Sequence, residues 1–456
     1  MSSKSFDDAE KASDLVASGH VVPALVDTQQ LVEIDPEEEK KVNRILDMRM
    51  LPLLTLMYTF SALDRSNLGA AKTDHMDTDL NFGINDYSLI LTIFYAPFCL
   101  LTVPANMLTK KVGAHITLPT YMIIWGGLAS VNAAAKTAGQ VMAIRVLLGA
   151  AEAGFAVGCI SHLTTFYRRD QLAVRIAYLY VASPLAGAIG GLLAYGIFQI
   201  KSQLHGWQIL FIFEGVMTVA TGVLAAVMLP RSVATCKWLT PAQRELCQAR
   251  VLADSSNVIN DKFSCKLFFA PVMDPLLYVY GLIGISYGVP VAAVSNWLPQ
   301  VIQRLGYDKL RTNALTVPPY AFGCLTLLFM AWNSDRTRER SLHVVAALVS
   351  TFIGFVILAA LDPTQSKNTG PSIFAVFLLC AGAFIPSVLF HTWHQNNDPS
   401  PNGRAFRVAF LTFCANAGGL VSSQAFRQQE APRYQTAMYT NFAFLAFGIA
   451  LVLGLR

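Results

Sequence analysis

From Leu51 to the last residue, runs of about 20 apolar residues follow one another, broken by short polar stretches. Each run is long enough to cross ~30 Å of hydrocarbon as a helix at 1.5 Å per residue. The pattern predicts twelve such spans, at 51–70, 87–108, 115–134, 139–163, 173–199, 207–229, 275–301, 312–333, 341–361, 371–393, 404–426 and 434–455. The longest break, 230–274, divides them six and six, so the expected organisation is a half at 49–229, a loop, and a half at 275–456. Residues 1–48, acidic and poor in apolar side chains, read as a disordered tail. In the central loop Thr240-Pro241-Ala242-Gln243 has the form of a capping box with proline at the first helical position, which predicts a short helix.

Composition agrees with the pattern. Charged residues are 14% and hydrophobic ones 54% of 456 positions, too little polar surface for a soluble globule of this length. The expected fold class is an all-α membrane protein of two six-helix halves. A net charge of +5 reports loop placement rather than affinity for nucleic acid, because no basic stripe is interleaved with aromatics. Loops after even-numbered spans hold more of the basic residues, among them Lys110, Lys111, Arg168, Arg169 and Arg175, which predicts cytoplasmic termini. The cysteines suggest neither a disulfide framework nor a metal site, and no cofactor is expected.

Ionisable groups inside apolar spans cost several kcal/mol (~2.5 to 3.5 on insertion scales), so each needs a partner, a water path or a task. Span 1 carries Asp64 and Arg65 side by side. Span 4 carries Arg145 and Glu152 seven residues apart, on one helix face, with Gly149 leaving a notch between them. Two carboxyls able to take protons and two guanidiniums able to hold an anion point to a proton-coupled carrier of anions. Glu214 in span 6 reads as structural, and His162 and His391, near span ends, as interfacial rather than as proton relays. Small residues along span 5, Gly187, Gly190, Gly191 and Gly196, suit close helix packing in lipid.

These motifs resemble the anion:cation symporter family of the major facilitator superfamily, in particular its fungal allantoate and nicotinate permease branch. The likeness runs from about residue 37 to the end and rests on Leu63-Asp64-Arg65-Ser66-Asn67-Leu68-Gly69, on the span 4 stretch from Arg145 through Glu152 to Phe155, on Phe213-Glu214-Gly215, on Pro318-Pro319-Tyr320 and on Ser334-Asp335-Arg336. The resemblance implies Asp64 and Glu152 as carriers of the coupling proton, and Arg65 as the chief anion-holding group. It also implies Arg145 as partner of Glu152 and a further substrate-binding residue, Asn416 as a neutral hydrogen bonder at the site, and Asp335 with Arg336 as a gating motif. The N-terminal counterpart of that motif, from Asn106 to His115, lacks the superfamily's aspartate. The abrupt end at Arg456 raises the expectation of a shortened gene product.

The expected function is symport of a small carboxylate, vitamin or ureide anion with protons by alternating access, in the plasma membrane. Expected partners are that anion, protons and the lipid bilayer, with the chain acting as a monomer. An exporter of a small metabolite on the same fold and a non-transporting nutrient receptor are the alternatives. A membrane enzyme would need nucleophile, metal or histidine-box constellations, and none is visible in the sequence.

Overall fold

The structure, a computed structural model, describes residues 21–23, 31–33, 36–254, 268–363, 365–395 and 401–456. Helices dominate, apart from a short antiparallel pairing of Val21–Pro23 with Leu31–Glu33. The first half comprises α1 (Pro36–Thr73), α2 (Asp86–Val112), α3 (Ala114–Val131), α4 (Ala138–Glu152 continued by Phe155–Leu163), α5 (Arg169–Tyr180 continued by Ala182–Ile197) and α6 (Gly206–Met228). The second comprises α7 (Pro275–Gln303), α8 (Lys309–Thr337), α9 (Ser341–Ala360), α10 (Thr369–Ala383 continued by Ile385–Gln395), α11 (Pro401–Ala425) and α12 (Gln435–Gly454). Among the described residues nine helices are long and apolar enough to cross a membrane. Helices α1, α3 and α11 stand at the places of the other three expected spans.

Local chemistry sets several helix ends. Thr137 caps α4 by accepting from the Gln140 N–H, and Asp274 caps α7 by accepting from the Leu276 N–H with Pro275 just inside. In the central loop the helix Pro241–Asp254 starts at a reciprocal box: Thr240 N–H donates to Gln243 Oε1 at 3.1 Å, and Gln243 N–H to Thr240 Oγ1 at 3.3 Å. Helix α1 differs from expectation at its start. It begins at Pro36, inside the stretch read as tail, because Glu37, Glu38 and Glu39 occupy its first turn, where carboxylates favour the positive end of the helix dipole. Leu46 and Met50 then bury their side chains against the bundle.

Glycines allow the closest crossings. A Cβ on Gly149 would lie 2.2 Å from the Phe94 carbonyl of α2, so the notch between Arg145 and Glu152 is filled by a neighbouring backbone. Between the halves, a Cβ on Gly191 of α5 would lie 2.8 Å from the Asn313 carbonyl of α8. Gly187, against Tyr320, and Gly191 thus serve packing across the interface, whereas Gly190 packs on Leu63 of α1 and Gly196 faces open space.

At the end of the bundle where α1 stops, polar groups tie the halves together. Asp74 accepts from Lys309 Nζ at 2.6 Å and from the Trp207 backbone N–H at 2.9 Å. Asn313 donates to Thr73 Oγ1 at 2.9 Å, and Gln300 to the Gly69 carbonyl at 2.8 Å. These contacts join α7 and α8 to α1 and α6.

Candidate functional site

Adjacent residues on a helix point about 100° apart, and α1 uses this to send Asp64 and Arg65 in different directions. Asp64 is buried within the first half, whereas Arg65 lines a cavity of about 110 Å³ between the halves. Ser61, one turn before Arg65 on the same face, also lines it. Behind this wall sits Glu152 of α4, fully buried. Its Oε2 accepts from Arg65 Nε at 3.3 Å and from Ser61 Oγ at 3.2 Å. Across the cavity, Arg65 Nη1 donates to Asn416 Oδ1 of α11 at 3.5 Å. The guanidinium carbon also lies 4.6 Å from the centre of the Phe98 ring, a cation–π contact that attracts the charge in an apolar setting.

One cation is therefore shared between an internal carboxylate and the cavity. Glu152 lies beside the Asp64 carboxyl, and Glu152 Oε1 and both Asp64 carboxyl oxygens have no hydrogen-bond partner among the described residues.

Arg145 departs from its expected role as partner of Glu152. Its Nη1 donates to the Asp64 main-chain carbonyl at 3.5 Å, and Nε and Nη2 have no partner among the described residues. Two helical turns separate Arg145 and Glu152 along α4 by ~10 Å, so they meet different residues of α1. Arg145 is buried and is absent from the cavity wall. Glu214 on α6 adds a further buried carboxyl. It is buried with neither carboxyl oxygen hydrogen-bonded among the described residues, within electrostatic reach of Asp64. The motif at Asp335 and Arg336 divides as well: Asp335 pairs with Arg340 at 3.8 Å, while the Arg336 guanidinium lies over the Trp332 ring at 5.5 Å.

Sequence reasoning missed most of the cavity wall. Tyr58, Tyr95, Tyr180, Tyr287 and Tyr320 line it, and so does His391, read from the sequence as interfacial. The available signal was proline. Pro386 has no N–H to continue the ladder, and α10 is interrupted at Phe384, between Ala383 and the second segment Ile385–Gln395 that bears His391.

Membrane-length helices in two halves about a central polar cavity define a transporter scaffold. Residues 54–423 match the Major Facilitator Superfamily, and the chain belongs to that family. It is 47% identical over 421 residues to the MFS-type transporter efuF of Hormonema carpetanum, covering 92% of this chain and 85% of that protein. It is 26% identical over 440 residues to the high-affinity nicotinic acid transporter of Saccharomyces cerevisiae, covering 96% of this chain and 82% of that one. Among solved structures, a bacterial homologue of the human lysosomal transporter Spinster, in an inward-facing and occupied conformation, superposes with a TM-score of 0.63 at 14% identity. That match covers 88% of this chain and 95% of the other and shows the common fold. The protein is thus a multi-pass membrane transporter with the major facilitator fold, and not an enzyme.

Proposed function

We propose that the protein couples inward movement of a small organic anion to protons by alternating access. The observation that carries this is the Arg65 guanidinium, held by buried Glu152 on one side and open to the cavity on the other. An arriving carboxylate competes with Glu152 for the same donors, for which the planar guanidinium is well shaped. Glu152, once released, is a buried carboxylate without its cation, a state that costs several kcal/mol. Taking up a proton removes that cost, so anion binding and protonation of Glu152 favour one another, and by linkage the effect is reciprocal. Asp64, beside Glu152, supplies a second place for the proton. The name of the nicotinic acid relative, a carboxylate carrier, supports an anionic cargo.

In this reading the tail and central loop face the cytoplasm, the membrane is the plasma membrane, and the Asp74–Lys309 contact closes the outer side. Movement of one monoanion with one proton is electroneutral. A second proton would add ~2.3 kcal/mol of drive per 100 mV.

The test is uptake of labelled carboxylates into proteoliposomes with an imposed proton gradient, acid outside. Wild-type protein is expected to accumulate its anion only with the gradient. Glu152→Gln and Asp64→Asn are expected to lose gradient-driven accumulation. Accumulation by both variants at the wild-type level overturns the proposal.

A further inference from the structure

The cavity holds more recognition chemistry than a carboxylate at Arg65 can use. His391, 3% exposed, lines it, and its Nδ1 has no hydrogen-bond partner among the described residues. The Tyr287 hydroxyl of α7, in the same wall, is likewise buried and without a partner. An imidazole always carries one N–H donor and one lone-pair acceptor when neutral, and burying either unmet is unfavourable. A cargo that reaches these groups relieves that cost.

Distance and shape narrow the class. Tyr58 lies two turns from Arg65 along α1, ~10 Å at 1.5 Å per residue. From Tyr58 the aromatic wall continues to Tyr180, ring centres 5.5 Å apart with planes inclined by 53°, and from Tyr180 to His391, 5.8 Å apart with planes inclined by 25°. The order along the wall is therefore cation, aromatic faces, then unmet hydrogen-bonding groups.

We infer that the cargo is an elongated, planar aromatic carboxylate, its carboxylate on Arg65, its ring along Tyr58 and Tyr180, and a hydrogen-bonding substituent at its far end met by His391 and Tyr287. The inference rests on the anionic reading of Arg65 given above and adds the second end of the molecule. A short saturated acid reaches Arg65 and leaves the far groups unmet, so length and planarity become selected properties.

Binding to the purified full chain in lipid nanodiscs tests it, with 4-hydroxycinnamate and cinnamate as probes, each beside its amide and beside butyrate. Wild-type protein is expected to bind 4-hydroxycinnamate about tenfold more tightly than cinnamate, a difference of ~1.4 kcal/mol, and both acids more tightly than butyrate. His391→Phe is expected to bind the two cinnamates alike while keeping its preference for acid over amide. Tyr287→Phe, which removes a single hydroxyl and leaves the packing in place, is expected to narrow the difference and serves if His391→Phe does not fold. Two results overturn the inference: a hydroxyl preference unchanged in both variants, or butyrate bound as tightly as the cinnamates by wild-type protein. Equal binding of acid and amide by wild-type protein instead removes the anionic reading of Arg65, and is told apart because the hydroxyl comparison is made separately.

Discussion

The two halves face one cavity with different chemistry. The first half carries Asp64, Arg65, Arg145, Glu152 and Glu214 within α1, α4 and α6, and of these Arg65 lines the cavity while the other four lie behind its wall. The wall from the second is neutral hydrogen bonders and rings, among them Asn416, Tyr287, Tyr320 and His391. The difference follows from the cost of burying charge. Ions in a low-dielectric interior are tolerable when opposite charges lie within one rigid unit, where their spacing survives movement of the halves. Charges split between the halves would be pulled apart and desolvated at every cycle. A neutral partner such as Asn416 leaves no unpaired charge of its own when the contact is lost, and a hydrogen bond from a charged group is worth about 1.5–3 kcal/mol at good geometry.

The widest gap between the halves should appear on removing one bond partner from each. Arg65→Gln leaves Glu152 without its cation, a loss of ~3–5 kcal/mol for a buried pair, so uptake of a carboxylate should fall by at least ~100-fold. Asn416→Ala removes one long contact at 3.5 Å between the Arg65 cation and a neutral acceptor, and should cost about tenfold. Initial rates of uptake for the two variants decide the matter, and equal losses would refute the division of labour.

The Asp74–Lys309 contact is an exception, since it places one charge in each half. Lys309 is more than one-third exposed, so water screens the pair and its worth is ~1 kcal/mol or less. Asp74→Asn should therefore shift the open and closed populations by about fivefold. Thiol labelling of Asn313→Cys, in a cysteine-free background in detergent, would show it as faster reaction in the variant. An unchanged labelling rate would mean that Gln300 and the α5–α8 packing hold that end closed without the charge pair.

The smallest effect is expected away from both halves. Thr240→Ala removes one side of the capping box on the central helix, worth ~1 kcal/mol locally, with transport unchanged within twofold. Hydrogen exchange at Gln243 and Arg244 would report the loosened first turn.

Much of this was legible along the chain. Hydropathy placed the spans, and ionisable residues inside them marked Asp64, Arg65, Arg145 and Glu152 as groups needing an explanation. Their pairing was not legible. The i, i+7 spacing of Arg145 and Glu152 puts both on one face of α4, yet says nothing about which residues of α1 stand opposite each. In the structure Glu152 meets Arg65 and Ser61, and Arg145 meets the Asp64 carbonyl. The place of His391 was not legible for the same reason, because position along a helix gives depth in the bundle and leaves rotation open.

The sequence by itself determined the membrane class, the location of the helices, the division into halves and the identity of the charges at stake, since burial in lipid acts residue by residue on the local run. Only the tertiary structure decided that Arg65 is shared between Glu152 and the cavity, that a backbone fills the notch at Gly149, and that His391 stands in the cavity wall. Those outcomes depend on helix rotation and crossing, which many weak contacts fix jointly and no single stretch of chain encodes.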